Sequence, residues 1–122
     1  TVDTLSYTYN DDGQLLSATK GGVGYSFTYD NLARLKTQTD IYGLVQTFTY
    51  NAADDRTQVS SSISVEDSTY DAAHRLTSRK SNNMGVSGAK VEFDYDNRNM
   101  LTETRRYSDS AGLVLLGSTT FD

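Results

Sequence analysis

The sequence predicts an all-β fold of tandem antiparallel β-hairpins, joined edge to edge into a twisted, coiling strip with no helices. Three observations predict it. A motif of an aromatic, then Asp or Asn, then a turn, then Arg or Leu recurs as Tyr9–Leu15, Tyr29–Leu35, Tyr50–Arg56, Tyr70–Leu76 and Tyr95–Leu101. The motif tyrosines lie 20, 21, 20 and 25 residues apart, and a fixed period in this range marks a repeat architecture. Strict alternation of apolar and polar residues precedes the motifs, which is the period of a strand and not of a helix.

Each repeat starts with a strand. Tyr25, Phe27 and Tyr29 alternate with Ser26 and Thr28, so one face is aromatic and every position suits a pleated surface. Leu5, Tyr7 and Tyr9 repeat this, as do Phe48 and Tyr50, and Val91, Phe93 and Tyr95. The fourth copy is poorer, with Glu66 and Ser68 before Tyr70.

A turn follows. Asn10, Asp30, Asn51, Asp71 and Asp96 suit the first position of a type I turn, because their side chains accept a backbone N–H two residues on. Gly13 suits the fourth position, where the chain passes through positive φ. Its equivalents are Ala33, Asp54, His74 and Asn99. Asp, His and Asn tolerate that region better than other side chains, so Ala33 is the exception. Leu15, Leu35, Leu76 and Leu101 open the return strands. The third copy carries Arg56 there, which reads as a one-residue shift or bulge. Each unit is a hairpin with a four- or five-residue loop.

The connections between repeats are Gly21–Gly24, Asp40–Gly43, Ser60–Ser62, Ser81–Gly88 and Ser108–Gly112. The extra residues of the longer periods fall there, so insertions belong at one edge. The absence of Pro suits strands paired on both sides. A lone hairpin is marginal, so the hairpins must pair in series, giving about ten strands that twist by about 20–25° each. The terminal strands are open edges, so the isolated chain is expected to self-associate.

Composition agrees with a thin β structure. Hydrophobic residues make up 36%, and tyrosines number nine. A net charge of −5 leaves no basic footprint for nucleic acid. No cysteine is present, which removes disulfides and thiolate metal sites. No apolar run is long enough for a membrane span, and no signal peptide opens the chain. Thr1 in place of Met and the cut-off motif Phe121-Asp122 read as an excised piece of a longer array. One repeat array over residues 1–122 is the expected organisation.

The repeated Tyr-Asp-x-x-Gly-Arg-Leu pattern resembles the RHS/YD-repeat family, which includes bacterial Rhs polymorphic toxins, the B and C components of insecticidal toxin complexes, and teneurins. Tyr9, Tyr29, Tyr50, Tyr70 and Tyr95 match the motif Tyr, and Arg34 and Arg75 match its Arg. Gln14 and Met100 depart from it, and Asp54–Thr57 looks like a Gly-Asn-Arg-Thr variant. The resemblance implies a β-strip that spirals into a shell housing a toxin, of which this chain supplies an arc. It also implies a secreted or cell-surface bacterial setting. The family's self-cleavage element contains Pro, which this chain lacks.

No catalytic constellation accompanies the motif, so the chain is not expected to be an enzyme and no cofactor or metal is implied. His74 is the single histidine and sits at the turn's Gly position. Asp94, Asp96 and Asn97 begin like a calcium loop, but the central Gly is missing and Arg105 stands where the bidentate Glu belongs. Asp11-Asp12 and Asp54-Asp55 read as solvated turn residues. Arg34 and Arg75 are expected to bond to neighbouring turns and lock hairpins in register. The tyrosines are expected to stack on one another at the hairpin tips, the alternative being a face that binds carbohydrate or a cell surface. The expected role is therefore a wall segment of a shell, whose partners are neighbouring repeats and an enclosed toxin domain.

Overall fold

The computed structural model describes residues 4–83, 86–112 and 114–122, without the side chains of Val86 and Ser87. Among them every regular element is a strand: β1 (Leu5–Tyr9), β2 (Leu15–Lys20), β3 (Val23–Tyr29), β4 (Leu35–Thr39), β5 (Val45–Tyr50), β6 (Arg56–Ser60), β7 (Ser64–Tyr70), β8 (Leu76–Asn83), β9 (Val86–Tyr95), β10 (Leu101–Tyr107) and β11 (Leu115–Thr120). They form one antiparallel sheet in which strand order is sequence order. The chain divides into two compact units, Thr1–Phe48 and Thr49–Asp122.

The motif turns are alike in both units. In the first, Tyr9 pairs with Leu15 across a loop of residues 10–14. The Gly13 N–H donates to the Asn10 carbonyl and the Asn10 N–H to the Gln14 carbonyl, both at 3.0 Å. The Asn10 side-chain oxygen accepts the N–H of Asp12 at 3.0 Å and of Gln14 at 2.9 Å. Asp30, Asn51, Asp71 and Asp96 do the same in their turns. One short side chain thus satisfies two backbone donors that a tight turn would leave unpaired.

The fourth turn residue is left-handed each time: φ is 80° at Gly13, 64° at Ala33, 66° at Asp54, 62° at His74 and 64° at Asn99. These are the positions the motif marks. In the third copy the turn closes with the same bonds, Asn51 N–H to the Asp55 carbonyl and Asp54 N–H to the Asn51 carbonyl, and Arg56 begins the return strand.

A bulge follows the turn in the hairpins of the first, second, fourth and fifth copies. Thr8 faces Ser17 while Tyr9 faces Leu15, leaving Leu16 unmatched, and Lys36, Thr77 and Thr102 are left over in the same way. Beside it, hydroxyls bond across the strands, Thr8 to Ser17 at 2.7 Å, Thr28 to Thr37 at 2.6 Å and Thr69 to Ser78 at 2.8 Å.

The connections at the other edge are not one class. Gly21 and Gly22, with φ of 63° and 83°, make a two-residue hairpin of the mirror-image type that strand twist favours. Asp40–Leu44 is the motif turn again: Asp40 accepts the N–H groups of Tyr42 and Leu44, and Gly43 has φ of 82°. Sequence reading took Ser81–Gly88 as a loop, but β8 runs to Asn83 and β9 starts at Val86, with Ser81 facing Ala89. The added residues lengthen a hairpin instead of a loop; Met84 and Gly85 lie outside the described residues.

No hydrophobic side chain among the described residues is buried; the two most buried polar ones are Ser68 and Ser78, at 8% and 9% exposure. The sheet is a single layer, thinner than the modest core its composition suggests.

Left-handed backbone costs a residue with a Cβ about 1 kcal/mol relative to Gly. Ala33→Gly is therefore expected to stabilise the fold by about 1 kcal/mol, and Gly13→Ala to destabilise it by a similar amount. Denaturant midpoints of the two variants check this, and Gly13→Ala with no loss would contradict it.

Candidate functional site

Within each unit, successive repeats are tied together along the motif turns. Three links recur along these seams, each arising from residues at fixed places in the motif.

The first is the tyrosine hydroxyl. Tyr29 donates to the Leu15 carbonyl at 2.8 Å, Tyr70 to the Arg56 carbonyl at 3.0 Å, and Tyr95 to the Leu76 carbonyl at 2.7 Å. Each acceptor is the residue that opens the preceding return strand. At Leu15 and Leu76 a bulge disturbs the ladder, and the next repeat's tyrosine supplies a donor there. A phenylalanine could present the same ring but not this bond.

The second link joins turn to turn. The residue after the left-handed position reaches the following turn: Gln14 Nε2 donates to the Ala33 carbonyl at 2.8 Å, and Arg75 Nη1 donates to the Asp96 carbonyl at 3.3 Å and to Asn99 Oδ1 at 2.9 Å. Between the third and fourth turns, His74 Nδ1 lies 2.9 and 3.0 Å from the two Asp55 oxygens. Asp55 is therefore a cross-turn acceptor and not the solvated residue its position suggested. The Arg75 guanidinium also covers the Tyr95 ring, 4.8 Å from its centroid.

The third link lies within the turn. Arg34 Nε donates to Asp30 Oδ2 at 2.8 Å and Arg75 Nε to Asp71 Oδ2 at 2.6 Å. The backbone N–H of Arg34, then its guanidinium, holds the Asp30 carboxyl below the usual carboxylate range, and Arg75 does the same for Asp71. For Asp96 the Arg98 guanidinium is the leading cause, followed by the Met100 N–H. Arg75 bridges two turns, bonding to Asp71 in its own and to Asn99 in the next.

The other motif residues take structural places: Leu35 and Leu101 open return strands, and Tyr50 and Asn51 end a strand and start a turn. Shallow clefts open between turns. One of about 390 Å³ is lined by Asn10, Gln14, Phe27, Tyr29 and Asp30 among others, and one of about 620 Å³ by Asp96, Arg98, Met100 and Phe121 among others. Neither sets a nucleophile beside a base.

One cluster was not visible in the sequence. Arg105 on β10 faces Glu92 on β9, with Nε donating to Glu92 Oε2 at 3.2 Å and Nη1 to Glu103 Oε2 at 2.9 Å, and it also pairs with Asp94. Glu92 further pairs with Lys90 and accepts the Tyr107 hydroxyl at 3.0 Å. Lys90 chiefly, with Tyr107 and Arg105, pulls the Glu92 carboxyl down to about 2, and the carboxylates raise the Arg105 pKa. The would-be calcium ligand Asp94 is thus spent on a cation of the chain itself. Among the described residues no group of three or more His, Cys, Asp or Glu could hold a metal ion.

Two predictions test the seam. Tyr29→Phe, Tyr70→Phe and Tyr95→Phe should each destabilise the fold by about 1 kcal/mol, since the ring stays and one hydrogen bond goes; equilibrium unfolding measures it, and neutral variants would refute the seam bond. Glu92 has its pKa depressed, so its contribution is present above the ordinary Glu value and is lost as pH falls through about 2. The Tm gap between the parent chain and Glu92→Gln should therefore be widest near neutral pH and shrink as pH falls towards 2.

Comparison with known proteins agrees with this geometry. The Teneurin YD-shell family matches residues 1–68. Among solved structures, the crystal structure of TcdB2-TccC3-Cdc42 is 16% identical with a TM-score of 0.77, and the match covers 98% of this chain and 7% of that one. That of TcdB2-TccC3 is 15% identical with the same TM-score of 0.77, covering 98% of this chain and 8% of its own. TcdB2-TccC3 without its hypervariable C-terminal region matches at 15% identity and a TM-score of 0.76, over 98% of this chain and 7% of that one. At these identities the likeness shows the fold, and the chain spans under a tenth of the matched structures' length. No curated protein matches the chain. With its tandem motif turns, tyrosine seams and family match over more than half its length, the chain belongs to the Teneurin YD-shell family of RHS/YD-repeat proteins, as a structural shell module.

Proposed function

We propose that this chain is a wall segment of a larger β-shell, that the shell encloses a toxin or effector domain, and that residues 1–122 serve as one array within it. The carrying observation is the seam: the Tyr29, Tyr70 and Tyr95 hydroxyls and turn side chains such as Arg75 bond to the adjacent repeat. Side chains so engaged are not free for acid–base or nucleophilic work, so the segment's work is mechanical. The motif residues from Tyr9, Asn10, Gly13 and Leu15 through Tyr95, Asp96 and Leu101 act as hairpin and seam residues, and the chain has no catalytic role. The fold shared with TcdB2-TccC3 over 98% of this chain, and over under a tenth of the matched chains, supports the reading of a segment of a larger β structure. On this reading the parent protein is secreted or displayed at a cell surface.

The test is limited proteolysis of the parent polypeptide with its C-terminal region attached. Opening the seam by combining Tyr70→Phe, Tyr95→Phe and Arg75→Ala should expose the enclosed region to protease at least tenfold faster than in the unaltered protein, a shift in opening of about 1.4 kcal/mol or more. Equal cleavage rates would refute enclosure. A hydrolytic or transferase activity of the purified segment, abolished by one substitution, would refute a purely structural role.

A further inference from the structure

Two of the turn-to-turn ties use a donor that reaches forward. Gln14 and Arg75, each one residue after the left-handed position, donate to the following turn. The third turn reverses this polarity. Its residue at that place is Asp55, which when ionised can only accept. The donor comes back from the fourth turn, from His74 at the left-handed position. The tie between the third and fourth repeats therefore rests on the single histidine of the chain. Gln14 carries no charge and Arg75 does not lose its own, so neither of those donors responds to pH near neutrality. Histidine is the side chain whose charge changes between about pH 5 and 8.

Asp55 is held ready for this contact. Its side chain is 14% exposed, and Asn51 Nδ2 donates to its Oδ2 at 3.3 Å. His74 Nδ1 lies 2.9 and 3.0 Å from the two oxygens, while the side chain of His74 is 57% exposed and open to protons from solvent. The charged residues closest in sequence to the two partners are Asp54 and Arg56, on either side of Asp55, and Asp71 and Arg75 in the turn of His74. Arg75 is bound to Asp71 at 2.6 Å and reaches onward to the Asp96 carbonyl and Asn99 of the fifth turn. Asp55 is the charged group that bonds to the ring.

The ladder behind this tie is short. The β6 and β7 strands match over three pairs, Gln58 with Asp67, Val59 with Glu66 and Ser60 with Val65. The β8 and β9 strands, which join the fourth repeat to the fifth, match over five. The tyrosine bond across the third seam is also the longest, 3.0 Å at Tyr70 against 2.8 Å at Tyr29 and 2.7 Å at Tyr95. With fewer backbone bonds in parallel, one side-chain tie carries a larger share of this seam.

We propose that the seam between the third and fourth repeats is a pH-sensitive tie in the array, set by His74 and Asp55. The imidazolium bonds to the carboxylate as an ion pair, whereas the neutral ring offers an uncharged and weaker hydrogen bond. The protonated form is the one that gains a partner in the fold, so its contribution is present below the histidine range and is lost as pH rises through it. The fourth repeat is held to the third more firmly in mildly acidic than in neutral solution, and the ties made by Gln14 and Arg75 do not change. The proposal concerns a seam inside the chain and stands whether or not a shell encloses a domain.

Amide hydrogen exchange of the 122-residue chain reads the seam directly. Protection of the β6–β7 amides is taken relative to that of the β8–β9 amides, so the intrinsic effect of pH on exchange cancels. This ratio should rise roughly threefold from about pH 7.5 to about pH 5.5. In His74→Asn and in Asp55→Asn it should stay constant. Asn99 holds the left-handed place of the fifth turn, so the turn accepts Asn at 74. Asn at 55 keeps an oxygen for the neutral ring and removes the charge. Circular dichroism confirms that each variant folds. A ratio independent of pH in the parent chain, or a rise that survives in either variant, would overturn the proposal.

Discussion

The rest of the structure depends on one constraint: a sheet of a single layer has nowhere to bury a side chain. None of the described hydrophobic residues is buried, and Leu5, Tyr9, Val23 and Leu116 are all more than half exposed. The hydrophobic term that dominates folding of compact domains is correspondingly thin. Order has to come from directional bonds placed in series. The Asp or Asn at each turn fixes five residues by taking two backbone N–H groups on one side-chain oxygen. That turn sets a bulge, and the bulge leaves a carbonyl where the next repeat's tyrosine arrives. Remove the carboxylate and the turn loses two partners at once; remove the tyrosine and neighbouring hairpins lose their tie.

Charge serves the same end. Arg75 is bound to Asp71 in its own turn, to Asp96 and Asn99 in the next, and lies over the Tyr95 ring. Arg105 gathers Glu92, Asp94 and Glu103 on the face of the sheet. Exposed ion pairs taken one at a time contribute little, but these are shared through bidentate groups that bridge elements far apart in sequence.

Much of this was legible in the residues. Turn chemistry is local, so Gly13, Ala33, Asp54, His74 and Asn99 could be placed at positive φ from spacing alone. Strand periodicity is equally local. What the sequence hid was everything that depends on register. The tyrosine-to-carbonyl bond joins residues 14 or 19 apart, and at Leu15 and Leu76 it lies beside a bulge whose extra residue, Leu16 or Thr77, has no distinguishing chemistry. The Arg105 cluster appears only once β9 and β10 are aligned. The turn at Asp40 was passed over because Thr39, not an aromatic, precedes it, although its hydrogen bonds are those of the motif. Residues 81–88 looked like a loop because Ser, Asn and Gly are turn formers; pairing along the neighbouring strand overrode that preference.

The long hairpin of β8 and β9 gives the sheet an uneven margin. Its strands run to 8 and 10 residues where β4 and β6 have 5, and each added residue carries a strand about 3.3 Å further. The growth is all on the side away from the motif turns, whose spacing and bonds are unaltered at Tyr70–Leu76 and Tyr95–Leu101. Strand length and hairpin linkage are therefore separate variables here. One margin carries the bonds between hairpins, and the other can lengthen one hairpin at a time.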